Sequence, residues 1–586
     1  MAAPMKGRTL RLWAPLAEQV DLLLDGQRLP MTRDGDDWTA VVDAPDGTPY
    51  AFSLDGGPAR PDPRGLRLPE GPHGPSALYD PSAFAWTDRG WRGAPLEGAV
   101  LYELHVGTFT PEGTLDAAAK RLDHLVDLGV SVVELMPLAP VPGRHGWGYD
   151  GVAPYAVHEG YGGPEALQRF VDAAHRLGLG VCLDVVFNHL GPDGNYLPEL
   201  GPYLTEKHHT PWGAALNLDD AGSDGVRRWV VDNVLQWLRD FHVDGLRLDA
   251  VHELKDDRAV HVLEEMAAAV DALAEETGRA MWLVAESDRN DPRTVTPRGA
   301  GSAAAGLGVH GQWADDVHHA LHVALTGETQ GYYADFADPE ALGKAMRTPF
   351  FHDGTYSSFR GRAHGRPVDP GTVPGWRFVA SLQTHDQVGN RATGERLSML
   401  ADPGLLACGA AILLTSPWTP MLFMGEEWGA STPWQYFTDH QDPDLAEAVR
   451  QGRRAEFGSH GWAAEDVPDP QDPATVERSR LDWAEVDREP HARLLRWYRD
   501  LLRARRERPE LRDGDLTRVD VTWDAAARRF ATRRGPHLVL ANLGDEPWEV
   551  ATSGTVLLAW ENGLEVTGGQ VAVPPRSAAV LLDPAD

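Results

Sequence analysis

The sequence predicts an α/β protein, a (β/α)8 TIM barrel flanked by an N-terminal and a C-terminal β-sandwich. Three observations carry that expectation. Residues 96–510 alternate strand-like and helix-like runs, and eight such strands can be counted. Residues 1–95 and 511–586 carry instead short alternating runs separated by tight turns. Finally, 586 residues exceed what a single hydrophobic core organises, so several domains are expected.

Taken in order, the first strands are Thr9–Trp13, Gln19–Leu24, Trp38–Val42 and Tyr50–Leu54. Asp25-Gly26, Asp34-Gly35 and Asp55-Gly56-Gly57 punctuate them as an antiparallel sandwich requires, and Pro58–Pro75 reads as an irregular linker. The rhythm then changes. Val100–Val106 is a strand, and Thr114 caps one helix whose Leu115, Ala118, Leu122 and Leu125 share a stripe up to Gly129. Val130–Leu135 is the second strand. A helix with Leu167, Phe170, Val171 and Ala174 inward stops at Gly178 and leads into the third strand, Val181–Phe187. A helix from about Gly225, with Val226, Val230, Trp237 and Phe241, feeds the fourth at Val243. Met281–Ala285, the region of Val309–Trp313, Phe378–Leu382 and Met421–Met424 complete the eight. From about Leu516 the runs Arg529–Thr532, His537–Ala541, Gly554–Trp560 and Ser577–Leu582 predict the second sandwich.

Charge and composition narrow the function. With 54 basic and 87 acidic residues the net charge is −33, a field that repels nucleic acid and anionic membranes and suits a neutral ligand. An acidic proteome produces the same balance, so the charge carries little weight alone. Cys182 and Cys408 both lie in apolar runs and read as small buried hydrophobes, without metal-ligand spacing. The start of the chain, Met1–Arg8, lacks a leader's apolar core, and Leu405–Pro417 is too short to span a bilayer, so a cytoplasmic location is expected. Twenty tryptophans against thirteen tyrosines lean towards carbohydrate, because indole faces stack on the C–H faces of sugars.

The most informative segment is Val243–Glu253. As a strand it places Arg247 and Asp249 on one face, with Leu246, Leu248 and Ala250 on the other. Charges are rarely sunk in a buried strand without a chemical task. Glu286 and Asp386 end two similar apolar runs. Each acid alone is explained by a buried ion pair that only fixes barrel geometry. Three at the ends of the fourth, fifth and seventh strands converge on one mouth and suggest glycosidic-bond hydrolysis. Asp249, beside Arg247, stays ionised and suits the nucleophile. Glu286, approached through Leu-Val-Ala, suits the proton donor, and Asp386 can pair with substrate hydroxyls.

Four segments, Leu183–His189, Gly245–Asp249, Val284–Glu286 and Thr384–Asp386, resemble in order and spacing the signature segments of the α-amylase family of glycoside hydrolases. That resemblance implies a retaining double displacement with Asp249 as nucleophile, Glu286 as acid/base and Asp386 as transition-state stabiliser. It also implies that Tyr149, His189, Arg247 and His385 surround the attacked glucose. Further segments are similar to those of the maltooligosyltrehalose trehalohydrolases: Trp147–Gly151, Asp249–Glu253, Ala285–Asp288, Gln312–His319, Ser358–Arg362, His385–Arg391 and Tyr436–His440. Those enzymes release trehalose from the end of a maltooligosyltrehalose chain. On that resemblance His252, Trp313, Asp315, Asp316, Gln387 and Asn390 are candidate substrate contacts, and Trp212, Phe359 and Arg360 candidate walls for the trehalose side. For Asp315 and Asp316 a helix N-cap is the competing reading.

No cofactor and no essential metal are expected. Asn188 would lie near a structural calcium if one were present, but Asp193, Glu199, Glu206, Asp219 and Asp220 lack the alternation of a calcium loop. The expected partner is the oligosaccharide itself; a maltooligosyltrehalose synthase is implied as a pathway partner, without physical contact. Two other readings compete: a glucan branching enzyme with the same architecture, and a non-catalytic barrel that binds carbohydrate.

Overall fold

The computed structural model describes residues 7–299, 305–458 and 466–583; the first six residues of the segment read for a leader therefore lie outside it. Eight parallel strands close into a barrel in strict chain order. They are Leu101–Leu104, Val132–Leu135, Gly180–Val185, Gly245–Leu248, Trp282–Ala285, Gly311–Trp313, Phe378–Ser381 and Thr419–Phe423, one for each expected run. The eighth pairs with the first through Met421↔Leu101, which closes the ring.

Parallel strands buried on both faces need apolar side chains inside and out, and every residue of these eight strands is buried. Alternate residues point to the axis. Leu101, Val132, Cys182, Trp282, Val284, Trp313, Val379 and Met421 pack into one cluster that fills the floor. Gly245 makes room for the largest of them, since a Cβ there would lie 2.4 Å from the Trp282 ring. With the floor filled, polar groups on the same inward faces are carried to the opposite, C-terminal mouth.

The expected single helix from Thr114 to Gly129 is two, Leu115–Ala119 and Leu122–Leu128. Thr114 caps the first, accepting from the Ala117 N–H, and Gly129 ends the second in the left-handed region (φ 103°), as expected. Between them the bonds Lys120 N–H to Ala117 O and Arg121 N–H to Ala118 O tighten the chain to three-residue spacing. Arg121 lies 4.2 Å over the Trp483 ring at this break. The helices Gly163–Arg176 and Ser223–Asp240 match their expected stripes.

Before the barrel, antiparallel strands form a three-stranded and a four-stranded sheet; after it, they form a five-stranded and a two-stranded sheet. The N-terminal sheets dock on helix Ser223–Asp240, where Gly225 accommodates the Trp13 indole and Trp229 Nε1 donates to Pro63 O. Cys182 and Cys408 are both buried. No helix among the described residues is long and apolar enough to cross a membrane.

Candidate active site

The mouth is organised around one guanidinium. Arg247 points inward from the fourth strand and is fully buried. Its Nη1 donates to Asp249 Oδ1 at 2.7 Å and to Asp184 Oδ2 at 2.8 Å, while Nη2 lies 3.6 Å from Glu286 Oε2. Two of the three expected acids thus share one cation. Trp313 supports it from the side, with the guanidinium 4.4 Å from the ring centre.

The fourth strand ends at Leu248, so the expected run does not continue extended through Ala250. Ala250 is left-handed (φ 38°, ψ 52°), a conformation that costs energy for a residue with a Cβ. The turn has a local consequence: the Ala250 N–H is aimed at Glu286 Oε2, 2.5 Å away. Backbone bonds from Val251 N–H to Glu286 O and from Glu286 N–H to Leu248 O lock the two strand ends together.

The two acids occupy different electrostatic settings. Burial pushes the Glu286 carboxyl up; Arg247 opposes this, but Asp249, Asp315 and Asp386 add to it, and the group reaches about 8. It is protonated at neutral pH, as a proton donor must be. Asp249 has the short guanidinium contact and a second donor, Asn188 Nδ2 at 2.7 Å. Asn188 Oδ1 in turn accepts from His189 Nδ1 at 2.5 Å. Both ends of the Asn188 amide are thus engaged, one with the Asp249 carboxylate and one with the neighbouring imidazole.

Asp386 lies beyond the seventh strand, in the first turn of the short helix His385–Gly389 that Thr384 caps. Its carboxylate accepts from Asn390 Nδ2 at 3.3 Å and lies 3.6 Å from His385 Nε2. His385 is buried beneath Tyr149, ring on ring at 5.1 Å, and its Nδ1 meets Glu103 Oε1 at 2.5 Å. Burial alone would favour neutral imidazole, but Glu103 and Asp386 raise it to about 9. Tyr149 donates to Asp184 Oδ2 at 2.6 Å, which ties this side of the mouth to Arg247.

The remaining expected residues separate into two sets. His189 stacks on the exposed Trp212 at 4.3 Å, and Trp313 lines the wall under Arg247. Asp315 faces Asp386 and Glu286; burial, then Asp386 and Asp316, push its carboxyl up to about 7. Phe359, exposed, and Arg360 form the tip of a hairpin between Tyr356–Ser357 and Arg362–Ala363. His252 lies in the turn after the fourth strand. Asp316 is turned inward instead: its Oδ2 accepts from Asn290 Nδ2 and from the His352 N–H. Neither aspartate is the N-cap of helix Asp315–Thr326, which is Ala314. Gln387 accepts from the Thr384 hydroxyl, and Asn390 closes the short helix.

Sequence reasoning assigned no role to Glu103, Asp184 or Asp288. A signal existed for the first two, since each is a lone acid inside an apolar strand run. For Asp288 the signal was its place at the end of the family-like segment Ala285–Asp288, but its partners, 36 and 72 residues away in the chain, could not be read there.

Comparison with known proteins gives the following. The model of the alpha amylase catalytic domain matches residues 78–209. The malto-oligosyltrehalose trehalohydrolase of Arthrobacter ramosus is 55% identical over 582 residues, covering 98% of this chain and 100% of that relative. A solved chain from Salmonella typhimurium, described as an alpha amylase, superposes with a TM-score of 0.89 at 39% identity, covering 98% of this chain and 97% of that one. The 1,4-alpha-glucan branching enzyme of Bacillus caldolyticus is 32% identical, but over only 52% of this chain.

Proposed function

The chain belongs to the malto-oligosyltrehalose trehalohydrolases of the α-amylase family, and from that premise we propose that Asp249, Glu286 and Asp386 carry its reaction. It is a glycoside hydrolase, and it releases trehalose from a maltooligosyltrehalose chain. The branching-enzyme reading rests on half the chain at lower identity and is set aside.

In the first step an Asp249 oxygen attacks the anomeric carbon of the glucose that precedes the trehalose unit. The bond from that carbon to the trehalose oxygen breaks, its electron pair staying on the oxygen, which takes the Glu286 proton. Trehalose leaves. In the second step Glu286, now a carboxylate, removes a proton from water, whose oxygen attacks the same carbon and expels Asp249. Two inversions retain the α-configuration, and both residues return to their starting states. The single observation that carries this assignment is the Arg247 guanidinium between Asp249 and Glu286, in close contact with Asp249 while burial pushes Glu286 up to about 8. Asp386 and the His385 imidazolium hold hydroxyls of the distorted ring, with Tyr149 and His189 around it. His252, Trp313 and Asp315 contact the substrate, and Trp212, Phe359 and Arg360 enclose the trehalose side. Gln387 and Asn390 act by shaping the Asp386 turn.

The same reading divides the chain into an N-terminal sandwich (1–95), the catalytic barrel (96–510) and a C-terminal sandwich (511–586). It also places the protein in the cytoplasm, acting on oligosaccharide rather than nucleic acid or membrane. It receives its substrate from a maltooligosyltrehalose synthase without contact between the two. The deciding experiment offers maltooligosyltrehalose beside the matching plain maltooligosaccharide and identifies products and anomers by NMR. We expect trehalose and an α-anomeric oligosaccharide from the parent and a loss of at least about 10³-fold for Asp249→Ala. A β-anomeric product, or equal rates for Asp249→Ala and the parent, removes the assignment.

A further inference from the structure

Asp288 lies two residues beyond Glu286, with its side chain half exposed, and it joins three loops. Its backbone N–H donates to Nδ1 of His252 at 3.3 Å. Its carboxylate receives the Arg360 guanidinium through two atoms, Nη2 to Oδ1 and Nε to Oδ2, the latter at 3.3 Å. His252 belongs to the turn after the fourth strand, and Arg360 to the tip of the 356–363 hairpin. One residue adjoining the proton donor therefore holds a group from each of the two loops that flank the leaving-group side.

The contact to His252 has a chemical consequence. An Nδ1 that accepts a hydrogen bond leaves the proton of neutral imidazole on Nε2, as a donor for a sugar oxygen. Burial, the largest influence, lowers the His252 pKa and keeps the ring neutral. Arg289 fixes the same residue from its other end, donating to His252 O at 2.7 Å. Arg360, held in a two-atom fork, keeps its remaining N–H groups in a fixed direction rather than sweeping solvent. Trehalose is a compact leaving group whose rings are joined through both anomeric carbons, so it offers hydroxyls on two sides. The matching leaving group of a plain maltooligosaccharide is maltose, whose 1,4 linkage leaves one anomeric carbon free and sets its hydroxyls differently. Two donors, one on each loop and both fixed by Asp288, match the first shape.

We propose that Asp288 is a positioning residue that sets the preference for trehalose-ended chains by orienting His252 and Arg360 against the departing disaccharide. The proposal rests on the trehalohydrolase reading above. An ion pair with a merely structural role would leave the recognition of trehalose relative to maltose unchanged.

The test uses free trehalose and free maltose as competing inhibitors of the full-length enzyme, with Asp288→Asn, Asp288→Glu, Arg360→Gln and the Asp288→Asn/Arg360→Gln pair. Asp288→Asn is expected to weaken trehalose inhibition and raise KM for maltooligosyltrehalose by about tenfold, with kcat within about twofold. Maltose inhibition stays level, Asp288→Glu recovers part of the loss, and the double variant is no worse than Arg360→Gln alone. An unchanged trehalose inhibition constant in Asp288→Asn, or equal losses for trehalose and maltose, overturns the proposal while leaving the reaction assignment intact. A parent enzyme that binds trehalose no better than maltose removes the underlying reading, and the proposal with it.

Discussion

The role of Arg247 can be tested as a charge rather than as a contact. Replacing it by glutamine removes a cation 3.6 Å from Glu286 and 2.7 Å from Asp249. At 3.6 Å two unit charges interact by about 1 kcal/mol in water and about 5 kcal/mol at an effective dielectric of about 20. At 1.36 kcal/mol per pH unit, that spans about one to three units. A cation favours the ionised carboxylate, so its removal raises the Glu286 pKa further. The alkaline limb of kcat/KM, set by loss of the Glu286 proton near its value of about 8, should move up by at least about one pH unit. Activity at the optimum falls as well, because Asp249 loses its anchor. Leaving Asp184 buried without its partner costs about 3–5 kcal/mol, so the measurement is repeated in Arg247→Gln/Asp184→Asn, which removes that unpaired charge. Arg247→Lys is the control: it keeps the charge, loses the fork, and should lower the rate with the alkaline limb near its parental position. A folded Arg247→Gln enzyme whose alkaline limb stays in place, or moves towards acid, refutes the electrostatic account.

Two further outcomes follow from the same charges. Glu286 holds its proton in the folded protein up to about 8, against an ordinary 4.5, so between these values the native state binds more protons than the unfolded one. Stability therefore falls as pH rises through that window, and Glu286→Gln, which removes the titration, should melt higher than the parent at pH 8 while losing at least about 10³-fold in activity; an unchanged or lower melting temperature in a differential scan contradicts the assignment. Glu103→Gln removes an anion that holds His385 charged up to about 9, so its imidazole should titrate at lower pH, visible by NMR, and KM should begin to rise at correspondingly lower pH. A His385 titration that stays near 9 in that variant excludes the pairing.

The barrel was legible because its strands obey a severe constraint. A parallel strand covered on both sides is almost entirely apolar, so Leu101–Leu104 or Val132–Leu135, each broken by a single glutamate, stands out against its surroundings, and all eight runs were found within a few residues. Helix continuity was less legible. Leu115, Ala118, Leu122 and Leu125 keep a helical stripe across a break that three-residue bonding at Lys120 and Arg121 absorbs, and no residue type there demands it. The end of the fourth strand was missed for a related reason. Period-two alternation continues through Ala250, whereas the backbone turns left-handed there to reach Glu286, a partner 36 residues away in the sequence.

The site divides along the same line. Residues whose task is fixed by strand direction, Arg247, Asp249 and Glu286, could be placed from sequence, because a barrel sends every strand end to one mouth. Residues whose task is to hold those three could not. Asn188 is an ordinary loop amide until Asp249 stands 2.7 Å away, and Glu103 is one more acid until His385 lies against it. The consequence concerns where the chemistry is decided. Two carboxyls are what a retaining glycosidic cleavage requires, and the strand positions of these follow from the barrel. What separates Glu286 from Asp249 is the distribution of a few partners: two close donors on Asp249, one amide and a longer guanidinium contact on Glu286, and three further carboxyls pushing Glu286 upward. The barrel supplies convergence, and the loops supply the asymmetry without which two converging carboxyls would be the same acid twice.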